Sequence, residues 1–450
     1  MATAAGARVF CSDRLSRREG GRAMNGDPLS HGLWEKTAPA APPAPKLVVD
    51  VDCDVAIVGA GYTGLSAALH ATEGGAAVAV LDSAEIGFGG SGRNVGLVNA
   101  GMWVMPDDLP GTLGETYGQR LLALLGDAPR AVFELVDRHT IACEIEHSGT
   151  LHCAVGKSGF AELKERERQW RARGAPVRLL DKAEAAAKIG STAYAGALLD
   201  QRAGTIQPLA YARGLAAAAI AAGARVFSSS PTLGCQADGD RWVLRTPQGA
   251  ARAKWVLVAT NAYTVAPWAE LRAELTHLPY FNFATVPLDE AARRAILPER
   301  QGCWDTRQVL SSFRFDQAGR LVFGSVGALR WTGLPIHRAW TRRALAKLFP
   351  RLAGVEFESE WYGMIGMTAD HLPRFHRLAR NVVSFSGYNG RGIAPGTVFG
   401  RCLADLALGA IGEADLPLPV SEPKTALLRH AAEAFYEVGA QAAHFVDARI

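Results

Sequence analysis

The chain has 450 residues, 48% of them hydrophobic, and a formal net charge of +4. That charge is too small to suggest a nucleic-acid partner, which calls for basic residues clustered on one face. No uninterrupted apolar stretch reaches the roughly 18 residues of a membrane-spanning helix, and the length suits about two to three domains. The cysteines, Cys11, Cys53, Cys143, Cys153, Cys235, Cys303 and Cys402, are scattered and never spaced C-x-x-C. They argue against a disulfide framework or a zinc site and suit a reducing cytoplasm. The histidines form no H-E-x-x-H, and His371 and His376 are poorly spaced as helical ligands. We therefore expect no metal and read the histidines as exposed or loop residues.

Residues 1–23 are Arg-rich and lack the apolar core of a secretory signal; Met24 is an alternative start. Residues 38–45, made up of Ala and Pro alone, predict an extended connector. The folded body is expected to begin near Val48, leaving 1–47 disordered or extended.

Val55–Val58 is an apolar run that enters Gly59-x-Gly61-x-x-Gly64 and then Leu65-Ser-Ala-Ala-Leu69. This order predicts strand, tight turn and helix. Gly59 permits the turn, Gly61 lets a pyrophosphate approach the backbone, and Gly64 lets the helix pack on the strand. The strand Ala77–Leu81 follows, closed by Asp82 where a ribose-binding acid is expected. Next comes a glycine-rich loop with Ser91-Gly-Arg-Asn-Val-Gly96, able to turn backbone N–H groups and Arg93 toward phosphate or flavin oxygens.

Residues 112–139 carry apolar positions at helical spacing, and 142–155 predict a hairpin around Gly149. The charged run 159–173 predicts a solvated helix face. A short strand is expected at 196–199, and a helix at 208–222 beginning at Pro208 and stopped by Gly223. Strands are expected at 224–227, 230–237, 241–246 and 253–259, the last of them central. Residues 275–345 have antiparallel texture with strands at 280–286, 309–315 and 320–326. A strand at 382–385 then leads through Gly387-Tyr-Asn-Gly-Arg-Gly392 into a helix over 395–408.

Six stretches occur in order: Gly59-x-Gly61-x-x-Gly64, Ser91-Gly-Arg-Asn94, Gly204-Thr-Ile-Gln-Pro208, Ala259-Thr-Asn-Ala-Tyr263, Thr368-Ala-Asp-His-Leu-Pro373 and Gly387–Gly392. With them the sequence resembles the D-amino-acid-oxidase-type FAD-dependent oxidoreductases, and most of all their gamma-glutamylputrescine oxidase branch, to which Trp34-Glu-Lys-Thr-Ala38 is also similar. The resemblance implies an α/β (α+β overall) fold: a Rossmann-like FAD-binding domain of separated segments with an inserted, mainly antiparallel β substrate domain. We assign 48–141, 196–268 and 355–415 to the first, 142–195 and 269–354 to the second, and 416–450 to a C-terminal tail or helix.

It also implies FAD contacts from Gly59, Gly61, Tyr62, Thr63, Gly64, Asp82 and Ser83, then from Ser91, Gly92, Arg93, Asn94, Gly96 and Leu97. Further contacts are implied at Thr232 (adenine), Ala259, and Gly387, Gly390, Arg391, Gly392 and Ile393 at the flavin. The sites where some members attach flavin hold no His or Cys here, in Val95-Gly96-Leu97 and Met364-Ile-Gly-Met367, so the FAD is expected to be non-covalent. The implied chemistry is oxidation of an amine or amino-acid C–N bond by hydride transfer to flavin N5, giving an imine and then an aldehyde or keto product. Oxygen or a quinone would take the electrons, in the cytoplasm. Arg314, mid-strand, is a candidate anchor for a substrate carboxylate, with Trp331 and Tyr388 as pocket walls beside Tyr280, and Arg330 and Arg391 as further candidates. A nicotinamide-linked dehydrogenase, or a flavin-binding protein without amine turnover, are the alternatives.

Overall fold

The computed structural model describes residues 31–447; the Arg-rich start, Cys11 and Met24 lie outside the described residues. The central strand is Val55–Val58, buried at every position as its unbroken apolar run requires. It pairs in parallel with Trp255–Val258 on one side and Val78–Leu81 on the other. Arg225–Phe227 extends the sheet beyond the second of these, and Val382–Ser386 beyond the first. Antiparallel Arg374–Ala379 and then Val420–Ser421 complete seven strands. Connections leave Val55–Val58 in opposite directions, so Gly59, Asp82 and Ala259 meet at a topological switch point, where an open α/β sheet has its ligand crevice.

Two helices with glycine-rich entrances cross behind this crevice, Tyr62–Glu73 and Ile393–Ala407. They approach closely because Gly400 has no side chain: a Cβ there would lie 2.4 Å from the Thr63 carbonyl oxygen. Gly64 is equally constrained, since its Cβ would fall 1.9 Å from the Gly59 oxygen.

The second large sheet has eight strands, in the order Phe357–Met367, Thr276–Thr285, Leu321–Val326, Ser311–Phe315, Gly302–Asp305, Thr150–Ala154, Gly196–Asp200 and Val177–Leu180. Its pairings are antiparallel except that between Gly302–Asp305 and Thr150–Ala154. Phe281, Phe283, Phe313, Phe323 and Trp340 form its aromatic core with the helix Gly333–Leu348. The C-terminal helix Arg429–Val446 lies against this sheet.

Several expectations need correction. No hairpin forms at 142–155; Thr150–Ala154 pairs instead with the distant Gly196–Asp200. That strand, and Phe357–Met367, fall in ranges that the sequence places in the nucleotide domain, yet both belong to the eight-stranded sheet. Hydrogen bonding across strands decided the matter, and apolar runs alone do not reveal partners. The folded body starts before Val48: Leu33–Thr37 is helical, with Leu33 and Trp34 fully buried. The charged helix, Gly156–Ala172, is not wholly solvated, because Arg166, Gln169 and Trp170 are buried. His31, His152, His337, His376 and His444 are buried too, contrary to the exposed reading.

Candidate functional site: one cavity from strand ends to aromatic chamber

A cavity of about 1910 Å³ starts at the carboxyl ends of the central strands and runs beneath the eight-stranded sheet. Gly59, Gly61, Tyr62, Thr63, Asp82 and Ser83 line its first part. The turn at Gly59 has φ +110°, a conformation that favours glycine. A Cβ at Gly61 would stand 2.9 Å from Ser91 Oγ, narrowing the cradle in front of the helix N-terminus. Asp82 accepts from the backbone N–H groups of Ala60 (2.6 Å) and Ala84 (2.8 Å), while burial pushes its carboxyl above the usual range. Thr232 also lines the wall, its Oγ1 buried with no hydrogen-bond partner. A glycine cradle at a helix N-terminus, a strand-end acid and an unpaired hydroxyl suit a dinucleotide.

The loop after Asp82 is built to hold shape. Tyr62 donates its backbone N–H to Ser91 Oγ (3.1 Å) and its hydroxyl to the Ser91 (2.5 Å) and Pro208 (3.0 Å) carbonyls. Asn94 donates to Gly90, Ser91 and Tyr62, and accepts from the N–H of Gly96. Arg93 lines the cavity but donates to the Phe88 and Tyr362 carbonyls, with its guanidinium 4.8 Å from the Phe88 ring centre. Leu97 also lines the cavity. Gly64, Gly92, Gly96 and Gly387 do not: they act through close packing, as at Gly96, where a Cβ would be 2.1 Å from the Ile206 oxygen.

Beyond Ala259, Asn261 Oδ1 accepts the backbone N–H of Gly387 (2.9 Å), which fixes the second glycine loop to the end of the strand Trp255–Val258. Asn389 locks that loop further, accepting from Thr368 N–H (2.8 Å) and donating to the Gly387 carbonyl (2.6 Å). Gly390, Arg391, Gly392 and Ile393 line the cavity here, at the N-terminus of Ile393–Ala407. Tyr388 also lines it, its hydroxyl 2.7 Å from Thr63 Oγ1.

The far chamber is aromatic. Tyr280, whose hydroxyl is 2.7 Å from Ser312 Oγ, lines it together with Trp103 and Trp304. Phe435, Tyr436 and Ala440 of the C-terminal helix supply another wall. Neither tryptophan carried a motif, so sequence reasoning missed both. The helix was legible in Ala431, Phe435, Val438, Ala442 and Phe445, which recur at helical spacing, but its position was not.

Two candidates fail. Arg314 does not reach the cavity: it is 1% exposed and donates to the carbonyls of Val95 (2.8 Å), Ile206 (2.7 Å) and Phe315 (3.2 Å). It also stacks over Trp34 at 5.0 Å, and burial pushes it down to about 10. A mid-strand charge was correctly singled out as unusual, but carbonyls, not a ligand, satisfy it. Trp331 is 79% exposed and outside the cavity, with the guanidinium of Arg330, which pairs with Glu437, 4.8 Å from its ring centre.

The sequence model of the family described as DAO, FAD dependent oxidoreductase, matches residues 54–406. The chain is 34% identical to gamma-glutamylputrescine oxidoreductase of Escherichia coli (strain K12) over 80% of this chain and 84% of that one. It is 31% identical to the probable oxidoreductase OrdL of Rhizobium meliloti (strain 1021), over 86% and 91%. Among solved structures, glycine oxidase from Geobacillus kaustophilus superposes with a TM-score of 0.64 at 23% identity, covering 79% of this chain and 94% of that one, a likeness of fold.

Proposed function

The chain belongs to the FAD-dependent oxidoreductase family and is an FAD-dependent enzyme acting on amines or amino acids; from that premise we propose that it oxidises the C–N bond of a gamma-glutamylputrescine-like amine. The product would be an imine, which water converts to an aldehyde. The family match favours FAD over a nicotinamide cofactor, and the activity for which the 34% identical relative is named favours an acylated diamine over a simple D-amino acid.

The observation that carries this reading is the continuity of the cavity. A dinucleotide trench at the strand ends opens without interruption into an aromatic chamber. Gly59, Gly61 and the first turn of Tyr62–Glu73 would hold the pyrophosphate, packed through Gly64, with Asp82 and Ser83 at the ribose and Thr232 at the adenine. Ser91 to Leu97 would flank the ribityl chain, with Gly92 and Gly96 shaping the loop. Ala259 and Gly387 to Ile393 would meet the flavin, where the positive end of Ile393–Ala407 favours negative charge. Bound FAD supplies the two-electron acceptor for the hydride that leaves the amine-bearing carbon.

The protein's own part is to orient that carbon and exclude water. Among the described residues, Asp82 and Glu85 are the only carboxylates in the cavity wall, and both follow the strand Val78–Leu81. No carboxylate base therefore faces the chamber, and the amine surrenders its proton to solvent on entry. Among the described residues no helix is long and apolar enough to cross a membrane; we place the enzyme in the cytoplasm, with oxygen or a quinone as electron acceptor.

Purified protein should carry a flavin spectrum that a panel of amines bleaches anaerobically, gamma-glutamylputrescine foremost. A flavin that no amine bleaches would overturn the reading and leave a binding protein without turnover. Readmitting air then tests the acceptor, because oxygen restores the colour within the turnover time only in an oxidase.

A further inference from the structure

We propose that the outward face of the C-terminal helix, Arg429–Val446, is where two copies of this chain pair, and that the second copy closes the outer side of the chamber.

A helix laid on a sheet ordinarily turns its apolar stripe inward and its charges to water. This helix does the reverse. Its inward side is polar: Glu433 accepts from Arg272 Nη2 (2.6 Å) and from the His277 N–H (2.9 Å), Glu437 accepts from Arg330 Nε (2.8 Å), and His444 meets His337. Ala431, Phe435, Val438, Ala442 and Val446 share the opposite face at roughly 100° per residue, and all five are exposed. Phe435 is 72% and Val438 66% exposed, and Leu428, at the N-cap, is 82% exposed. Among the described residues, no Asp, Glu, Lys or Arg shares that face.

Trp331 widens the patch. Its two neighbours are bound to the helix, Arg330 to Glu437 and Thr332 Oγ1 to Gln441 Oε1 (2.9 Å), so the exposed indole stands alongside. Trp331 and Leu428 hold φ +51° and +54°, an uncommon backbone for large apolar residues left in water. Gly439 is a further sign. A mid-helix glycine weakens a helix, and a Cβ there would meet nothing within 4 Å, so no contact inside the chain requires it. Close approach of a second helix gives it a use, as it does Ala431 and Ala442 between the larger residues.

Size and charge select the occupant. At roughly 150–250 Å² for each aromatic side chain, the exposed parts of Trp331 and Phe435 come to about 300 Å². Leu427, Leu428, Val438 and Val446 bring the patch to about 700 Å², above the roughly 300–600 Å² of the largest patch on a typical monomer. It is close to the roughly 800 Å² that each partner gives to a stable pair. A bilayer suits a helix whose polar face is rich in Lys and Arg; here that face carries Glu433 and Glu437 and is packed on the sheet. Residues 1–23 are Arg-rich and offer no matching stripe. An uncharged apolar face meets its own copy without repulsion, as a two-fold pairing requires. Phe435 also lines the cavity, with Tyr436, Gly439 and Ala440. One helix thus separates the patch from the chamber, and a partner laid on it keeps water from the reacting carbon.

The test uses the full, FAD-loaded chain. Sedimentation over a range of protein concentrations should show a dimer. Val438 lies near the middle of the stripe, so across a two-fold axis it meets its own copy. Val438→Glu and Val438→Lys should each weaken pairing by about 100-fold or more, and an equal mixture of the two should pair again. Amide exchange over 429–446 should be slow in wild type and in the mixture, and fast in either variant alone. Val438 is exposed and outside the cavity, so both variants should keep their flavin. Should either fail to fold, Val438→Cys decides, because mild oxidation should cross-link two chains through the introduced thiols. A cross-link to Cys11 of the same chain would put the N-terminal segment on this face and overturn the proposal. A wild type that stays monomeric at every concentration overturns it too, with a bilayer as the occupant if it then sediments with phosphatidylcholine–phosphatidylglycerol vesicles. A dimer indifferent to both charged substitutions pairs through another surface and is equally fatal.

Discussion

The hydroxyls of Thr63 and Tyr388 stand 2.7 Å apart, so the first turn of one glycine-opened helix is tied to the loop that opens the other. Burial pushes the Tyr388 phenol above its ordinary range, so it is neutral at any working pH. Tyr388→Phe should cost about 1 kcal/mol, read as a lower urea midpoint with unchanged slope. A double-mutant cycle with Thr63→Val should return a coupling of about 0.5–1.5 kcal/mol.

Gly61→Val should yield folded protein without flavin, since its side chain would enter the cradle where Ser91 Oγ already lies 2.9 Å from a Cβ. The ratio of visible to ultraviolet absorbance after gel filtration measures this. Full flavin in that variant would refute the pyrophosphate placement. Gly64→Ala should act differently, destabilising the fold by about 3 kcal/mol or more through collision with the Gly59 oxygen.

Arg314→Met should strand the Val95 and Ile206 carbonyls and cost about 3 kcal/mol in chemical denaturation. The KM of the surviving enzyme for its amine substrate should change little, because Arg314 lies outside the cavity.

The Nδ1 atoms of His337 and His444 are 2.8 Å apart and buried, linking the helix Gly333–Leu348 to the C-terminal helix. Burial lowers His337 to about 4, and burial with His337 lowers His444 to about 3. Glu437, Asp447 and Arg343 are the charged groups around them. The unfolded imidazoles, near 6.5, take up protons first as pH falls. The pair's stabilisation is therefore intact above about pH 6.5 and is lost toward about pH 4. Hydrogen exchange between pH 7 and 4.5 should show protection in 429–446 falling before that of the seven-stranded sheet. His337→Phe with His444→Leu should flatten the dependence.

Acid precipitation should release the flavin into a yellow supernatant. Among the described residues that line the cavity there is no cysteine, and His371 is the only histidine. A yellow pellet would point to a covalent bond, with His371→Ala as the next variant to examine.

The nucleotide half of the site was legible because its chemistry is local: Gly59, Gly61, Gly64 and Asp82 fall within one βαβ unit, and local spacing reports on local geometry. The chamber was not, because Trp103, Trp304, Tyr280 and Phe435 come from four distant segments joined only by tertiary packing. Arg314 and Arg391 show the limit most sharply. Both are arginines in apolar surroundings, and sequence favoured Arg314 as the anchor because a charge mid-strand is rare. Which of them retains free donors depends on whether carbonyls from 95 and 206, or indoles from 103 and 304, close around it.

Arg314 fastens the eight-stranded sheet to the loops at 95 and 206, which leaves the C-terminal helix as the chamber's detachable side. That helix follows residues 393–407, which finish the cofactor trench. A growing chain thus has its cofactor seat before its substrate room has an outer wall. Capture of the cofactor and confinement of the substrate are separate events, written in that order along the polypeptide.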